Sequence, residues 1–164
     1  MKKRLVLLVF LCALQLLVPA GMIYNKYDIL KNGAMVKFQV RPIDPYDPFR
    51  GRYVAVNVPL DITNYSGRYG IVLVDENGFG NVVKVTDEKP AGELYVKSLS
   101  PNYFRMPIER YYMDEKLAPE AERLPFDEEN RAFVVARIKN GNVVLQGLYV
   151  NDVPIEEYLK GKGE

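Results

Sequence analysis

The sequence predicts a mainly β fold, a sandwich or small barrel of about seven or eight short strands. An N-terminal transmembrane helix leads it, and one or two short helices accompany it. Three observations carry the prediction. From Met35 onward, short runs of residues alternate apolar with polar, the period of a half-buried strand. Gly, Pro and Asn-Gly pairs punctuate those runs, as turns require. Ahead of them lies a single apolar segment, Leu5–Tyr24, in which Gln15 is the one polar side chain.

That apolar segment comes first. About twenty helical residues span about 30 Å, the thickness of a bilayer's hydrocarbon core. Lys2-Lys3-Arg4 precede it, and the positive-inside rule keeps them cytoplasmic, carrying the C-terminal part across. Tyr24 and Tyr27 suit the far interface. Val18-Pro19-Ala20 before Gly21 has the form of a signal-peptidase site, but the length of the run favours an uncleaved anchor. Pro19 is tolerable near the exit end of a membrane helix. Cys12 reads as a small hydrophobe within the run, and Leu11 before it does not suit lipid attachment. Residues 1–30 are therefore expected to be a signal anchor contacting the lipid bilayer through residues 5–24. Residues 31–164 are expected to form one extracytoplasmic β-domain.

The elements follow in order. Tyr24–Asn32 extends the helix beyond the membrane, and Asn32-Gly33 stops it. Met35–Arg41 alternates Val36, Phe38 and Val40 against Lys37, Gln39 and Arg41. Tyr53–Val58 alternates likewise. Asn64–Gly70 is a polar turn. Ile71–Asp75 and Asn81–Thr86 flank a hairpin at Asn77-Gly78. Glu93–Leu99 and Tyr103–Ile108 read as further strands, the second on an edge because of Pro107. Asp114–Arg123 is a helix candidate, acidic at its start and limited by Pro119. Arg131–Lys139 and Asn142–Val150 flank Asn140-Gly141, the clearest hairpin signal. A short helix follows Asp152-Val153-Pro154, and Lys160–Glu164 reads as frayed.

Composition excludes several chemistries. The chain has no histidine, no tryptophan and one cysteine, so a Ser-His-Asp triad, a Cys-His pair and a histidine metal site are ruled out. No P-loop or dinucleotide fingerprint occurs. Four of the 22 cations but only one of the 21 acids lie in residues 1–30. The remainder is weakly acidic, which does not suit nucleic acid. With Cys12 in the anchor, the exported domain holds no disulfide and depends on its core. No cofactor, metal or catalytic residue is assigned.

Arg41–Val58 concentrates prolines, acids and arginines between two strands. Prolines at 42, 45 and 48 fix φ at three positions, so a charged loop loses less entropy on docking. The candidate binding surface is Asp44, Asp47, Arg50, Arg52 and Tyr53, joined by Arg110, Tyr111 and Glu115. The competing reading is a strand crossover in which Asp44 and Arg50 pair locally. Serine–lysine chemistry survives the missing histidine. Its candidates are Ser66, Ser98 and Ser100 with Lys84, Lys89 or Lys97, although Lys97 and Ser98 point to opposite faces of a strand. Paired acids such as Glu115 and Glu122 allow hydrolysis or cation binding, without EF-hand spacing. The twelve tyrosines suit a binding surface or half-buried strands equally.

Pro42-Ile43-Asp44-Pro45-Tyr46-Asp47-Pro48-Phe49-Arg50, followed by Gly51-Arg52-Tyr53-Val54-Ala55-Val56-Asn57-Val58, resembles the landmark segment of the GDYXXLXY protein family. Arg52 stands where that family carries aspartate, and Val58 where it carries the final tyrosine. Ile108–Glu115 with Ala121-Glu122, and Gly147–Asp152, resemble two further landmarks. The resemblance implies a bacterial envelope protein, single-pass in the cytoplasmic membrane with its N-terminus inside, accompanying a polytopic membrane protein. It supplies no catalytic residues. The function expected is thus an extracytoplasmic binding domain accessory to another membrane protein. The alternatives are an envelope hydrolase and a small-ligand sensor.

Overall fold

The computed structural model describes residues 2–43, 53–114, 117, 120–121 and 131–162; side chains at 2–6, 9, 42, 43, 53 and 162 lie outside that description. Helix α1 (Lys2–Asn32) leads into β1 (Ala34–Gln39), β2 (Arg41–Ile43), β3 (Tyr53–Asn57), β4 (Tyr69–Val74), β5 (Gly80–Thr86), β6 (Tyr95–Lys97) and β7 (Arg110–Tyr112). Then come β8 (Ala132–Lys139), β9 (Asn142–Val150), β10 (Val153–Pro154) and α2 (Ile155–Lys162). These ten described strands form three antiparallel sheets, ordered β1-β8-β9-β10, β2-β3-β7 and β5-β4-β6.

One apolar cluster joins the sheets. Val36 and Phe38 of β1, Val54 and Val56 of β3, Val72, Val82 and Val96 of β4–β6, and Val134 and Ile138 of β8 all belong to it. Ile155 and Leu159 of α2 complete it. Parallel bridges Lys37–Phe79 and Val96–Gly141 tie the β5-β4-β6 sheet to the largest sheet at two places. Val40 donates its N–H to the Ala132 carbonyl at 3.1 Å where β1 passes into β2. The fold is therefore mainly β as expected. Its strand number exceeds the expected seven or eight because β2 and β10 are very short pieces.

The hairpins form where local chemistry demands them. Asn140 (φ 52°) and Gly141 (φ 77°) both take positive φ, the pattern of a two-residue type I′ turn. At the β4–β5 turn the Asp75 carboxylate accepts the N–H groups of Asn77 (2.9 Å) and Phe79 (2.8 Å), and Gly78 supplies φ 83°.

Strand β8 departs from simple alternation. Ala132 through Ala136 are all buried. Its second face is covered by Phe79, edge-on to Phe133 at 5.6 Å, and by Tyr149, stacked on Phe133 at 5.3 Å. The Lys37 ammonium lies over both the Phe79 and Phe133 rings, 5.5 and 5.4 Å from their centroids, a cation–π arrangement.

Other expectations are corrected. Tyr103–Ile108 is not a strand. Its backbone is committed to loop bonds, Phe104 N–H to Tyr65 O (2.6 Å) and Leu99 N–H to Arg105 O (3.0 Å); the strand lies beyond Pro107, at β7. The strand expected over Glu93–Leu99 is confined to Tyr95–Lys97. Of the helix expected over Asp114–Arg123, only part falls in the described residues. There Leu117 and Ala121 make turn bonds to Asp114 O and Leu117 O, both at 3.0 Å, and Ala121 is fully buried. The frayed end expected from Lys160 is instead helical through Lys162, because Ile155 and Leu159 anchor α2 in the core.

Among its described side chains, helix α1 is buried against the domain near its end. Ile29 is 2% exposed, whereas apolar side chains from Leu14 (50%) to Ile23 (70%) stand clear of protein. Gly33 closes the helix by donating its N–H to Ile29 O at 2.8 Å. The Lys139 amine reaches both Asp28 carboxylate oxygens, at 2.7 and 2.8 Å, and the Asn32 amide adds a third bond at 2.6 Å. Those donors, Lys139 first, hold the Asp28 carboxyl below its usual value. Arg137 donates to Gly33 O at 3.2 Å. Among the described residues no helix is long and apolar enough to cross a membrane. The expected transmembrane helix is therefore not carried by them; Leu5, Val6 and Val9 of the apolar run have side chains outside the description.

Candidate functional site

The proline segment begins and ends on paired strands. Arg41 lies opposite Asn57, Pro42 opposite Val56 and Ile43 opposite Ala55. Residues 44–52 thus connect the two strands of a hairpin, and its ends are held side by side. Asp44, Asp47, Arg50 and Arg52, and likewise Glu115, lie outside the described residues.

Strand β7 lies on the other side of β3. Tyr53 is opposite Tyr112, Val54 opposite Tyr111, and Ala55 opposite Arg110. Residues directly opposite share a face of the sheet. Val54 is buried, so Tyr111 points with it toward the core side. There its hydroxyl donates to Glu156 of α2 at 2.7 Å. Burial first, then this hydrogen bond and the carboxylate's charge, raise the Tyr111 hydroxyl well above the usual phenol range. Arg110 lies on the outer face with Ala55, next in line to Tyr112, which is 63% exposed. The strands thus separate two residues that the sequence grouped. Arg110 belongs to the outer surface, whereas Tyr111 is a half-buried strut between β7 and α2.

Beside this face runs an open cleft of about 480 Å³, lined by Val56, Leu60, Tyr65, Phe104, Arg105 and Glu109 among others. Tyr65 donates its hydroxyl to Leu60 O at 3.2 Å. Arg105 and Glu109 form an ion pair across one turn of chain. Val56 N–H donates to Glu109 O at 3.0 Å, which fixes the 103–109 loop against β3. Arg105 is the residue that sequence reasoning missed; an arginine inside a presumed edge strand carries no signal of a cleft.

Ser98 is a loop organiser. Its Oγ accepts the N–H groups of Ser100 (3.1 Å) and Arg105 (3.0 Å) and lies within donating distance of the Ser100 and Tyr103 carbonyls (2.8 and 3.0 Å). These bonds occupy the hydroxyl's capacity. No hydrogen bond joins it to a lysine among the described residues, and Lys97 is exposed. Among the described residues no group of three or more acids, cysteines or histidines is placed to hold a metal ion.

The family model described as GDYXXLXY protein matches residues 15–148. The chain belongs to the GDYXXLXY family. Within this GDYXXLXY protein, the match runs from the middle of α1 into β9, so it takes in the second half of that helix and strands of all three sheets. Two of the three segments that carry the resemblance in sequence, around Gly51–Val58 and Ile108–Glu115, contribute the neighbouring antiparallel strands β3 and β7. No curated protein and no solved structure matches the chain.

Proposed function

We propose that this protein is a membrane-anchored extracytoplasmic binding domain, accessory to another membrane protein. Its docking surface is the outer face of β3 and β7 together with the loop of residues 44–52. The observation that carries this reading is the pairing of β2, β3 and β7, which sets the ends of a proline-stiffened, charged loop beside a face bearing Arg110 and exposed Tyr112. Arginine and tyrosine are the residue types that anchor protein interfaces. The tether is supported by the apolar run Leu5–Tyr24 and its basic N-terminal flank, and by the exposure of the α1 side chains outside the domain.

Co-purification from membranes tests the reading. Wild type is compared with Arg50→Ala and Tyr53→Ala, each first checked for folding by circular dichroism. The expected outcome is a membrane protein retained by wild type and lost from both variants. Equal retention by all three removes the loop from the interface.

The cleft of about 480 Å³ favours a second reading, a sensor of a small ligand, since tyrosine and phenylalanine side chains line it beside an ion pair. The serine–lysine hydrolase reading draws no support from Ser98, whose hydroxyl is committed to backbone groups.

A further inference from the structure

The apolar run of α1 holds one polar side chain, Gln15, ten residues after Leu5 and nine before Tyr24. It therefore sits at the middle of the proposed anchor, about 15 Å from either end. Its side chain is exposed, and its amide has no hydrogen-bond partner among the described residues. One helical turn further on, Pro19 lies inside the helix. Proline has no N–H, so the Gln15 backbone carbonyl lacks the donor that the fourth residue along normally supplies. A side-chain amide and a main-chain acceptor are thus both open at one level. Hydrocarbon offers neither a partner, and each unpaired group is costly there.

The neighbours of Gln15 define one stripe. Leu8, Cys12, Gln15, Pro19 and Met22 follow at steps of four and three, the spacing that keeps residues facing a partner helix. Leu8, Cys12 and Met22 are exposed, so the rest of the chain leaves the stripe uncovered. Ile29, further along the same side, is buried against its own domain. A partner helix therefore follows the stripe within the bilayer and parts from it beyond Pro19, where the missing hydrogen bond permits a bend.

Hydrogen-bond complementarity identifies the partner. The Gln15 amide offers two N–H donors. The same residue carries two acceptors, its side-chain oxygen and the freed backbone carbonyl. A second copy of the chain presents the identical set. The positive-inside rule gives every copy one orientation, so Gln15 meets Gln15 at equal depth. We propose that α1 pairs in parallel with α1 of a second copy, through Gln15 at the centre of the stripe. This pairing requires the membrane anchor proposed above and is independent of the docking role of the β3–β7 face.

Cys12, one turn from Gln15 on the stripe and the only cysteine of the chain, lets oxidation test the pairing. The full chain is expressed at low level in bacterial membranes, treated with copper–phenanthroline and run on a non-reducing gel. Wild type should give a disulfide-linked dimer of twice the chain's mass. Cys12→Ala/Ala13→Cys, which turns the thiol off the stripe, should give little product. Gln15→Leu, which keeps the run apolar, should lower the dimer yield at least about threefold. Carbonate extraction separates the two ways of failing. A chain released from the membranes refutes the anchor and the pairing with it; a retained chain without dimer overturns the pairing alone. Equal yield from positions 12 and 13 also overturns it, as does an unchanged yield in Gln15→Leu or a Cys12 product of any other mass.

Discussion

Replacing Gly33 with alanine sets two opposed effects against each other. A Cβ there would lie 2.4 Å from the Ile29 carbonyl oxygen, and 3.1 and 3.2 Å from the backbone N and O of Ile138. All three are backbone atoms, so no rotamer change relieves the contact. Ile29 O is also the acceptor that closes α1, and Ile138 pairs with Ala34 at the first rung of β1–β8. Relief must therefore pull the last turn of α1 away or open that rung. Overpacking of this kind costs about 1–3 kcal/mol, and the backbone identity of the neighbours puts it at the upper end. Gly33 follows the last helical residue, so alanine gains there only by making the unfolded chain less flexible, at most about 1 kcal/mol; sterics wins, with a net loss of about 1–2 kcal/mol. The assay is urea unfolding of the full chain in detergent, followed by far-ultraviolet circular dichroism. The midpoint should fall by about 0.5–1 M at unchanged slope. Gly78→Ala is the control. No atom lies within 4 Å of its added methyl, but its φ is 83°, so it loses about 1–2 kcal/mol through its own backbone. Only Gly33→Ala should also speed tryptic cleavage after exposed Lys31, because only it loosens the helix joint. An unchanged midpoint together with unchanged cleavage refutes the tight joint.

Three further outcomes are expected. Asp28 has its folded-state pKa lowered by Lys139 and Asn32, so its contribution to stability is complete above about pH 4 and lost as pH falls through the folded value; urea midpoints measured down the acid limb should flatten in Asp28→Asn. Tyr111→Phe removes the hydroxyl bond to Glu156 and should cost about 1 kcal/mol in urea unfolding at neutral pH. Because the Tyr111 pKa is raised, that contribution is complete below about pH 10 and disappears as pH rises through the folded value, so the two proteins should converge in strong base. Ser98→Ala strips an acceptor from two backbone N–H groups and should destabilise the domain by about 1–2 kcal/mol. If the reading of Ser98 as a loop organiser is right, Ser98→Ala should leave unchanged any labelling of the protein by a serine-directed probe.

Much of the fold was legible because its causes are local. Asn140-Gly141 makes a type I′ turn through its own backbone preferences, and the Val36-Phe38-Val40 alternation survives in place. What escaped the sequence arises from distant contacts. Nothing within Phe133–Val135 says that Phe79 and Tyr149 will cover its second face. The 103–109 segment looks extended and apolar, yet the Ser98 hydroxyl and Tyr65 carbonyl take its backbone bonds. The candidate surface divides for the same reason. Arg110 and Tyr111 are neighbours in sequence, but pairing with β3 sends them to opposite faces, and that pairing has no local signature.

The pairing of β1 with β8 sets an order of events. Gly33 and Arg137, bonded at the start of this ladder, are 104 residues apart. During synthesis the first strand must therefore wait, with Val36 and Phe38 uncovered, until most of the chain has followed. Closing so long a loop makes this a non-local, slow-folding topology, and the waiting strand is an open edge available to other chains. A chain cut short before Ala132 would be not a smaller domain but a β1 without its ladder partner. Folding of this protein is governed by its last third.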